Sequence, residues 1–319
     1  MRHIPEAGAV CGNSARTDLC GGRGVTSVPT ATKSGGLGYD GNSMTSLVTW
    51  PRFANCLLSL LQILLPGCWG RLRSQMLRKI IALNVRCAKW LERKFPQIFG
   101  PETFDELAHR IALDIKMRSP AAILEIGGID RPLLALSPAY EYIGLDIEER
   151  PDCYRVYDKF LVQSIEKSVG IKVDMVVSQT LLEHVRDNEA SARSMYETLN
   201  SGAIMHHYVP SKWHPYSIAL RLVGDKLQLK LLSILRPDAL GIAGYPAFFD
   251  HCSPSGMSRL FERRGFVNIS VKPSYNAKDY FFFFLPAFVL ISLFEAMCRL
   301  LDLRCFCSGF VISAERPRN

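Results

Sequence analysis

From Ala121 onward the chain alternates short apolar runs with polar stretches of helical spacing, and this alternation restricts the fold more than any other feature. The strand candidates are Ala121–Ile126, Tyr142–Asp146, Val173–Ser178, Ala203–Val209, Phe266–Lys272 and Gly309–Ala314. Asp187–Leu199 has the pattern of a helix between the third and fourth of these. A second helix is predicted from Ser253, an N-cap followed by Pro254 at the first helical position, to Gly265. Such alternation predicts an α/β fold, a doubly wound and mostly parallel sheet covered on both faces. Right-handed crossovers then put a ligand crevice at the carboxyl ends of the strands. The chain has no internal repeats.

The segment Ile123-Leu124-Glu125-Ile126-Gly127-Gly128-Ile129-Asp130-Arg131-Pro132 lies at that end of the first strand. It reads as an apolar strand ending in an acid, two glycines, and a helix start at Pro132. Glycines in such a turn let the backbone approach a ligand and present free N–H groups. Nineteen residues after Gly127, Asp146 closes Tyr142-Ile143-Gly144-Leu145-Asp146. A carboxylate there can accept hydrogen bonds from both ribose hydroxyls. Turn and acid together point to a nucleoside-containing ligand, with a purely structural turn as the alternative.

Four motifs in order carry a resemblance. Leu124-Glu125-Ile126-Gly127-Gly128 is similar to the first motif of class I S-adenosylmethionine-dependent methyltransferases, especially the broad "methyltransferase type 11" group, and Asp146 falls at their ribose-binding acid. Val173-Asp174-Met175-Val176-Val177-Ser178, followed by Leu182-Glu183-His184-Val185, resembles their fourth-strand motif and its "LEHV" sequel. Leu199-Asn200-Ser201-Gly202-Ala203-Ile204 resembles the turn into their fifth strand, which Pro210 closes. The likeness covers about residues 121–210. Two positions depart from it: the first motif ends in Ile129 where the family has glycine, and Ala203 replaces the second glycine of the later turn.

The resemblance implies a Rossmann-like fold, S-adenosyl-L-methionine as cofactor, and methyl transfer as the activity. It places Glu125 near the donor's sulfonium or amino group, where negative charge stabilises a cation; a carboxylate capping amides of the turn is the competing reading. Gly127 and Gly128 would pass under the donor's amino-acid portion and Asp146 would hold the ribose. Gln163 and Ser164 fall about where the family contacts adenine, and Gln179 follows the fourth strand. With the methyl group already on a positive sulfur, catalysis is mainly alignment of the acceptor. An oxygen or nitrogen acceptor also needs a base. His184 and His207 are the candidates put forward. His206 and His207 are adjacent on a strand and face opposite sides, so only one can enter the crevice. His214 and His251 are further histidines without an assigned role.

Composition bounds the rest. A chain of 319 residues with 48% hydrophobic and 21% charged residues is globular in character. Thirty-eight basic residues against 30 acidic give +8, a surplus suited to anionic partners, with a cluster between Arg71 and Lys94. The ten cysteines include no CxxC pair and no metal-ligand spacing, so no metal is expected and buried thiols in a reducing compartment are. Residues 1–48 are Gly-, Ser- and Thr-rich and predict a disordered segment, with Met44 or Met76 as an alternative translation start. No cleavable signal peptide is evident in the opening residues. Residues 49–118 read as a helical extension: the apolar run Cys56–Leu65 is too short for a confident span, and Arg71–Lys94 is an amphipathic basic helix. Residues 119–319 form the methyltransferase domain in this reading.

Tyr280–Leu303 is a second apolar stretch, broken by Glu295 and Arg299 and containing Pro286. Its place between the last two strands, which this fold usually joins tightly, argues against a single crossing and for a lipid-facing helical insertion; a lid over the acceptor site is the other reading. The expected partners are a small-molecule acceptor, amphipathic or lipid-linked, and a membrane surface met from the cytoplasmic side in peripheral or monotopic fashion. No nucleic acid is expected, because the basic cluster lies upstream of the domain, and no obligate protein partner is inferred. Two rival readings stay open: an NAD-dependent oxidoreductase, although G-x-G-x-x-G is missing, and a non-catalytic membrane-associated binding module of the same fold.

Overall fold

The structure is a computed structural model that describes residues 68–100, 106–223 and 246–318. The disordered segment expected over residues 1–48, the alternative start at Met44 and the apolar run Cys56–Leu65 lie outside the described residues.

Seven strands form one sheet: β1 Ala122–Ile126, β2 Glu141–Asp146, β3 Lys159–Val162, β4 Val173–Gln179, β5 Leu199–Pro210, β6 Val267–Ser274 and β7 Gly309–Glu315. Their order is β3-β2-β1-β4-β5-β7-β6, parallel from β3 to β5, with β7 antiparallel to both β5 and β6. The last strand in sequence thus sits between the fifth and sixth. Eight α-helices are described: α1 Cys68–Lys94, α2 Pro96–Phe99, α3 Glu106–Arg118, α4 Cys153–Val156, α5 Asn188–Thr198, α6 Pro215–Val223, α7 Pro254–Arg263 and α8 Leu285–Leu300.

Period-two alternation sends neighbouring residues of the central strands to opposite faces. On one face Leu124, Ile126, Val176, Met205 and Ile312 pack with Ala192 and Met195 of α5 and Met257, Leu260 and Phe261 of α7. On the other, Ile123, Tyr142, Met175, Val177 and Val311 pack with Leu107 and Ile111 of α3. The sheet is therefore covered on both sides, as the alternation requires. The α7 start behaves as predicted: Ser253 Oγ accepts from the Gly256 N–H at 3.2 Å, with Pro254 at the first helical position.

The helix expected to begin at Pro132 does not form. Residues 127–140 run as turns from β1 to β2. Pro138 has no N–H to give a helix and pushes Ser137 out of the helical region, so no helix of useful length fits before Glu141. Glu125 accepts from the Leu133 N–H at 2.9 Å and Tyr140 donates to the Ala135 carbonyl at 2.9 Å, which satisfies the turns locally.

Arg71–Lys94 falls within α1, whose Ala88 joins Phe99, Phe282 and Phe288 in a third, smaller cluster. The apolar stretch near the end of the chain divides into a short turn over Ala277–Phe281 and α8. One side of α8 is sealed, with Phe288, Ser292, Glu295 and Cys298 fully buried; the other turns Leu290, Leu293, Met297 and Leu300 outward. Among the described residues, no helix is long and apolar enough to cross a membrane. Phe282 is buried against Phe288, at 5.1 Å between ring centroids, and so contributes to packing rather than to an outer surface.

Candidate functional site

The crevice at the carboxyl ends of β1 to β4 starts with the glycine turn. Gly127 has φ +83°, and its N–H donates to the Leu145 carbonyl at 2.8 Å, tying the loop after β1 to the end of β2. A Cβ on Gly127 would stand 2.8 Å from Leu181 Cδ1, because the loop after β4 leans over the turn. At Gly128 a Cβ would stand 2.2 Å from the Tyr157 hydroxyl and 2.4 Å from Glu125 Oε1. Glycine is required at both positions by close approach, and at Gly127 by backbone conformation as well. Ile129 occupies the position where the resembling family has its last glycine, and it adopts φ +47°. The left-handed backbone is thus kept by a β-branched residue that ordinarily avoids it.

Glu125 is almost fully buried, and its Oε2 accepts from the Leu133 N–H and from the Tyr142 hydroxyl. Burial pushes its pKa up to about 7 despite these donors. Its carboxyl is spent on fixing the turn, the competing reading above, and not turned to an open crevice. Asp146 ends β2 half-buried, and its Oδ1 accepts from the Glu148 N–H at 3.1 Å. Burial raises its pKa above the ordinary aspartate value. Gln163 follows β3, a strand the sequence pattern did not reveal, and its backbone N–H donates to the Asp146 carbonyl at 2.8 Å. That bond sets Gln163 and Ser164 beside Asp146. Ser164 Oγ itself accepts from the Glu166 N–H at 3.2 Å, and Gln163 Nε2 donates to the Ser168 carbonyl at 3.4 Å. Gln179 is the last residue of β4, half-buried at the same edge. Asp146 and Gln179 therefore end their strands, and Gly127 and Gln163 directly follow theirs, at the same edge of four neighbouring strands.

The histidines divide. His207 does not reach the crevice: it is fully buried, its Nδ1 lies 2.7 Å from Ser178 Oγ, and desolvation holds its pKa down to about 3. Its side chain faces the α7 layer, 6.3 Å from the Phe261 ring, so the catalytic role expected for it is corrected to a core role. His206 points to the other face, between Ser313 Oγ at 2.8 Å and Asp114 Oδ2 at 3.1 Å. His214 is buried 3.5 Å from Glu295, and His251 lies 2.8 Å from Asp250. His184 is about a third exposed in the turn after β4, with Nδ1 3.0 Å from the Pro246 carbonyl. Beside it, 3.7 Å away, is Glu183, whose buried Oε2 has no hydrogen-bond partner among the described residues. Burial raises the Glu183 pKa to about 8. The motif pattern quoted Glu183 without a role; nothing in its spacing marks it as a buried carboxyl. Among the described residues no group of acidic, histidine and cysteine side chains is placed to hold a metal ion.

These residues fit the nucleoside-containing donor that the motifs imply. Asp146 accepts from the Glu148 N–H and keeps acceptor capacity on a partly open carboxylate. The glycine turn presents backbone with no side chain in the way. Glu125, by contrast, is not available to the donor in this arrangement.

Solved structures of similar shape include a phosphoethanolamine N-methyltransferase 2 of Haemonchus contortus, at 14% identity and TM-score 0.42, over 73% of this chain and 58% of that one. Another is a SAM-dependent methyltransferase of Archaeoglobus fulgidus, at 14% identity and TM-score 0.41, over 71% and 98%. The chain thus spans less than two thirds of the length of the Haemonchus enzyme. No curated protein matches. A family model described as "Methyltransferase domain" matches residues 92–271, more than half of the sequence, and extends well beyond the motif region on both sides. The chain belongs to the methyltransferase-domain family.

Proposed function

We propose that this methyltransferase transfers the methyl group of S-adenosylmethionine to an amphipathic small molecule, and that it does so against the cytoplasmic face of a membrane. On the donor side, Asp146 receives the ribose hydroxyls, Gly127 and Gly128 pass under the amino-acid portion, and Gln163, Ser164 and Gln179 line the remaining edge. The donor supplies an activated methyl group, so the chain's work is to align the acceptor. His184, about a third exposed in the turn after β4, is the group that takes a proton from an acceptor oxygen or nitrogen in this reading.

One observation carries the amphipathic reading. α8 buries one side and exposes Leu290, Leu293, Met297 and Leu300 on the other, with Leu300 85% exposed. α1, which shares the third cluster with α8, adds exposed Ile80, Leu83 and Trp90 among exposed Arg78, Lys79, Arg86, Lys89, Arg93 and Lys94. Apolar side chains next to a row of cations suit the boundary of an anionic bilayer.

Incubation of the purified full chain with labelled donor and separated lipid and aqueous extracts tests the proposal. Label in the lipid fraction supports it. Label confined to the aqueous fraction removes the amphipathic acceptor, and donor binding without any transfer favours the non-catalytic module.

A further inference from the structure

A cleft of about 420 Å³ opens beyond the carboxyl end of β5. It is lined by Lys212, Trp213, Asp250, His251, Arg259 and Arg263, among others. Lys212 and Trp213 follow directly on β5, and Arg259 and Arg263 are one helical turn apart on α7. The lining thus brings three full positive charges against one carboxylate. Asp250 is already committed, to the Asn188 N–H at 2.9 Å and to His251 Nδ1 at 2.8 Å. Arg263 shares Glu189 with Arg264, at 2.5 Å each. Lys212 Nζ instead stands over the Trp213 ring, 5.4 Å from its centroid, and among the described residues Arg259 makes a local bond, to the Ser255 carbonyl at 3.1 Å. Arg221 adds a fourth cation, 6.0 Å from the same indole. Two cations without a carboxylate of their own among the described residues, at the wall of a concave site, favour an anion there.

The position of the cleft gives the anion a meaning. The Phe248 and Phe249 N–H groups both donate to the Glu183 carbonyl, at 2.8 and 3.0 Å, so the segment carrying Asp250 and His251 is tied to the turn after β4. The Lys212 N–H donates to the Cys252 carbonyl at 2.8 Å, closing the link to β5. The cleft therefore adjoins the side of the crevice that holds Glu183 and His184, away from Asp146 at the end of β2. Among the described residues Trp213, 47% exposed, is the one large apolar side chain of its lining.

We infer that this cleft binds the anionic group, a phosphate or carboxylate, of the acceptor, with Lys212 and Arg259 as its principal ligands. The inference rests on the methyl-transfer reading for the word acceptor, while the anion site itself does not. Such an anion belongs either to a free small molecule or to a lipid headgroup.

Calorimetric titration of the full chain with inorganic phosphate, and co-sedimentation with phosphatidylcholine vesicles with and without phosphatidic acid, tests it. The titrations are repeated on Lys212→Ala/Arg259→Ala and on the charge-conserving Arg259→Lys. Both sites are at the surface, and S-adenosylhomocysteine binding is measured in parallel for every variant. Phosphate binding that falls at least tenfold in the double alanine variant, and is largely kept by Arg259→Lys, supports a soluble anionic ligand. Loss of the phosphatidic acid-dependent sedimentation in the double variant, without binding of free phosphate, supports the headgroup. Neither probe binding, or both binding the double variant as tightly as the unaltered chain, overturns the proposal. Failure of the unaltered chain to bind S-adenosylhomocysteine counts against the methyltransferase reading instead and leaves the anion result to be read separately.

Discussion

Gly127→Ala measures how far the glycine turn is a matter of shape. With φ +83° the residue lies where an L side chain costs about 1–2 kcal/mol. The new methyl would stand 2.8 Å from Leu181 Cδ1 and 3.1 Å from Leu181 Cβ, an overpacking of the kind that costs about 1–3 kcal/mol. The stiffer unfolded chain returns about 0.4–1 kcal/mol. The net is about 2–3 kcal/mol of destabilisation, and at roughly 2–4 °C per kcal/mol for a domain of 150–250 residues the melting temperature falls by about 5–10 °C. Thermal and urea unfolding both read this. The steric part has its own signature: Leu181→Ala in the same chain removes the 2.8 Å contact with Cδ1, while the Cβ contact and the backbone strain stay. The double variant is therefore less destabilised than the two single variants added together, by about 1 kcal/mol or more. A melting point unchanged in Gly127→Ala, or strict additivity with Leu181→Ala, refutes the argument that close approach explains this glycine.

Three further outcomes are expected. Asp146→Asn leaves the melting temperature near its original value and weakens donor binding by about 10–100-fold, the worth of a charge-assisted hydrogen bond at about 1.5–3 kcal/mol; calorimetry with S-adenosylhomocysteine checks it. Glu183 keeps its proton in the fold up to about pH 8, whereas the unfolded chain loses it near 4.5, so its contribution to stability is complete at low pH and is lost as pH rises through that window. Glu183→Gln should therefore flatten the urea midpoint between pH 5 and 8.5, with Glu125, raised to about 7, leaving a residual slope below neutrality; an unchanged profile removes Glu183 from the account. Replacing the exposed Leu290, Leu293 and Leu300 by Ser should lower binding to anionic vesicles roughly a hundredfold, at about 1 kcal/mol for each side chain, without changing the melting temperature. Phe282, buried in the third cluster, is the wrong place for that experiment because its loss would disturb packing.

The central strands were legible because they are buried on both faces and interrupt polar helical stretches. β3 was not: behind an exposed Lys159 its apolar run is only Phe160-Leu161-Val162, too short to stand out. The donor edge was legible through Gly127 and Asp146, whose chemistry depends on local backbone and strand ends. His207 was misplaced because alternation states that it opposes His206 but not that α7 covers its side. Glu125 was ambiguous for a similar reason: an acid before a glycine turn serves a ligand or the turn itself, and only the Leu133 and Tyr142 contacts decide. Lys212, Arg259 and Arg263 are brought together by β5 and α7, far apart in sequence, and no short motif links them.

The insertion of β7 between β5 and β6 has a consequence for synthesis. About 105 residues separate the end of β5 from the end of β7, some 5–20 s of elongation. Throughout that interval the growing chain carries β5 with one row of backbone donors and acceptors open, flanked by Met205 and Val209, which are buried in the finished fold. Such an edge is a template for pairing with another chain. A ribosome that stalls or terminates before Gly309 therefore releases a sheet that lacks its keystone, with β6 unable to substitute because its partner on both registers is β7. Holding factors that shield a nascent edge, rather than faster folding of the first five strands, are what this topology asks of the cell that makes it.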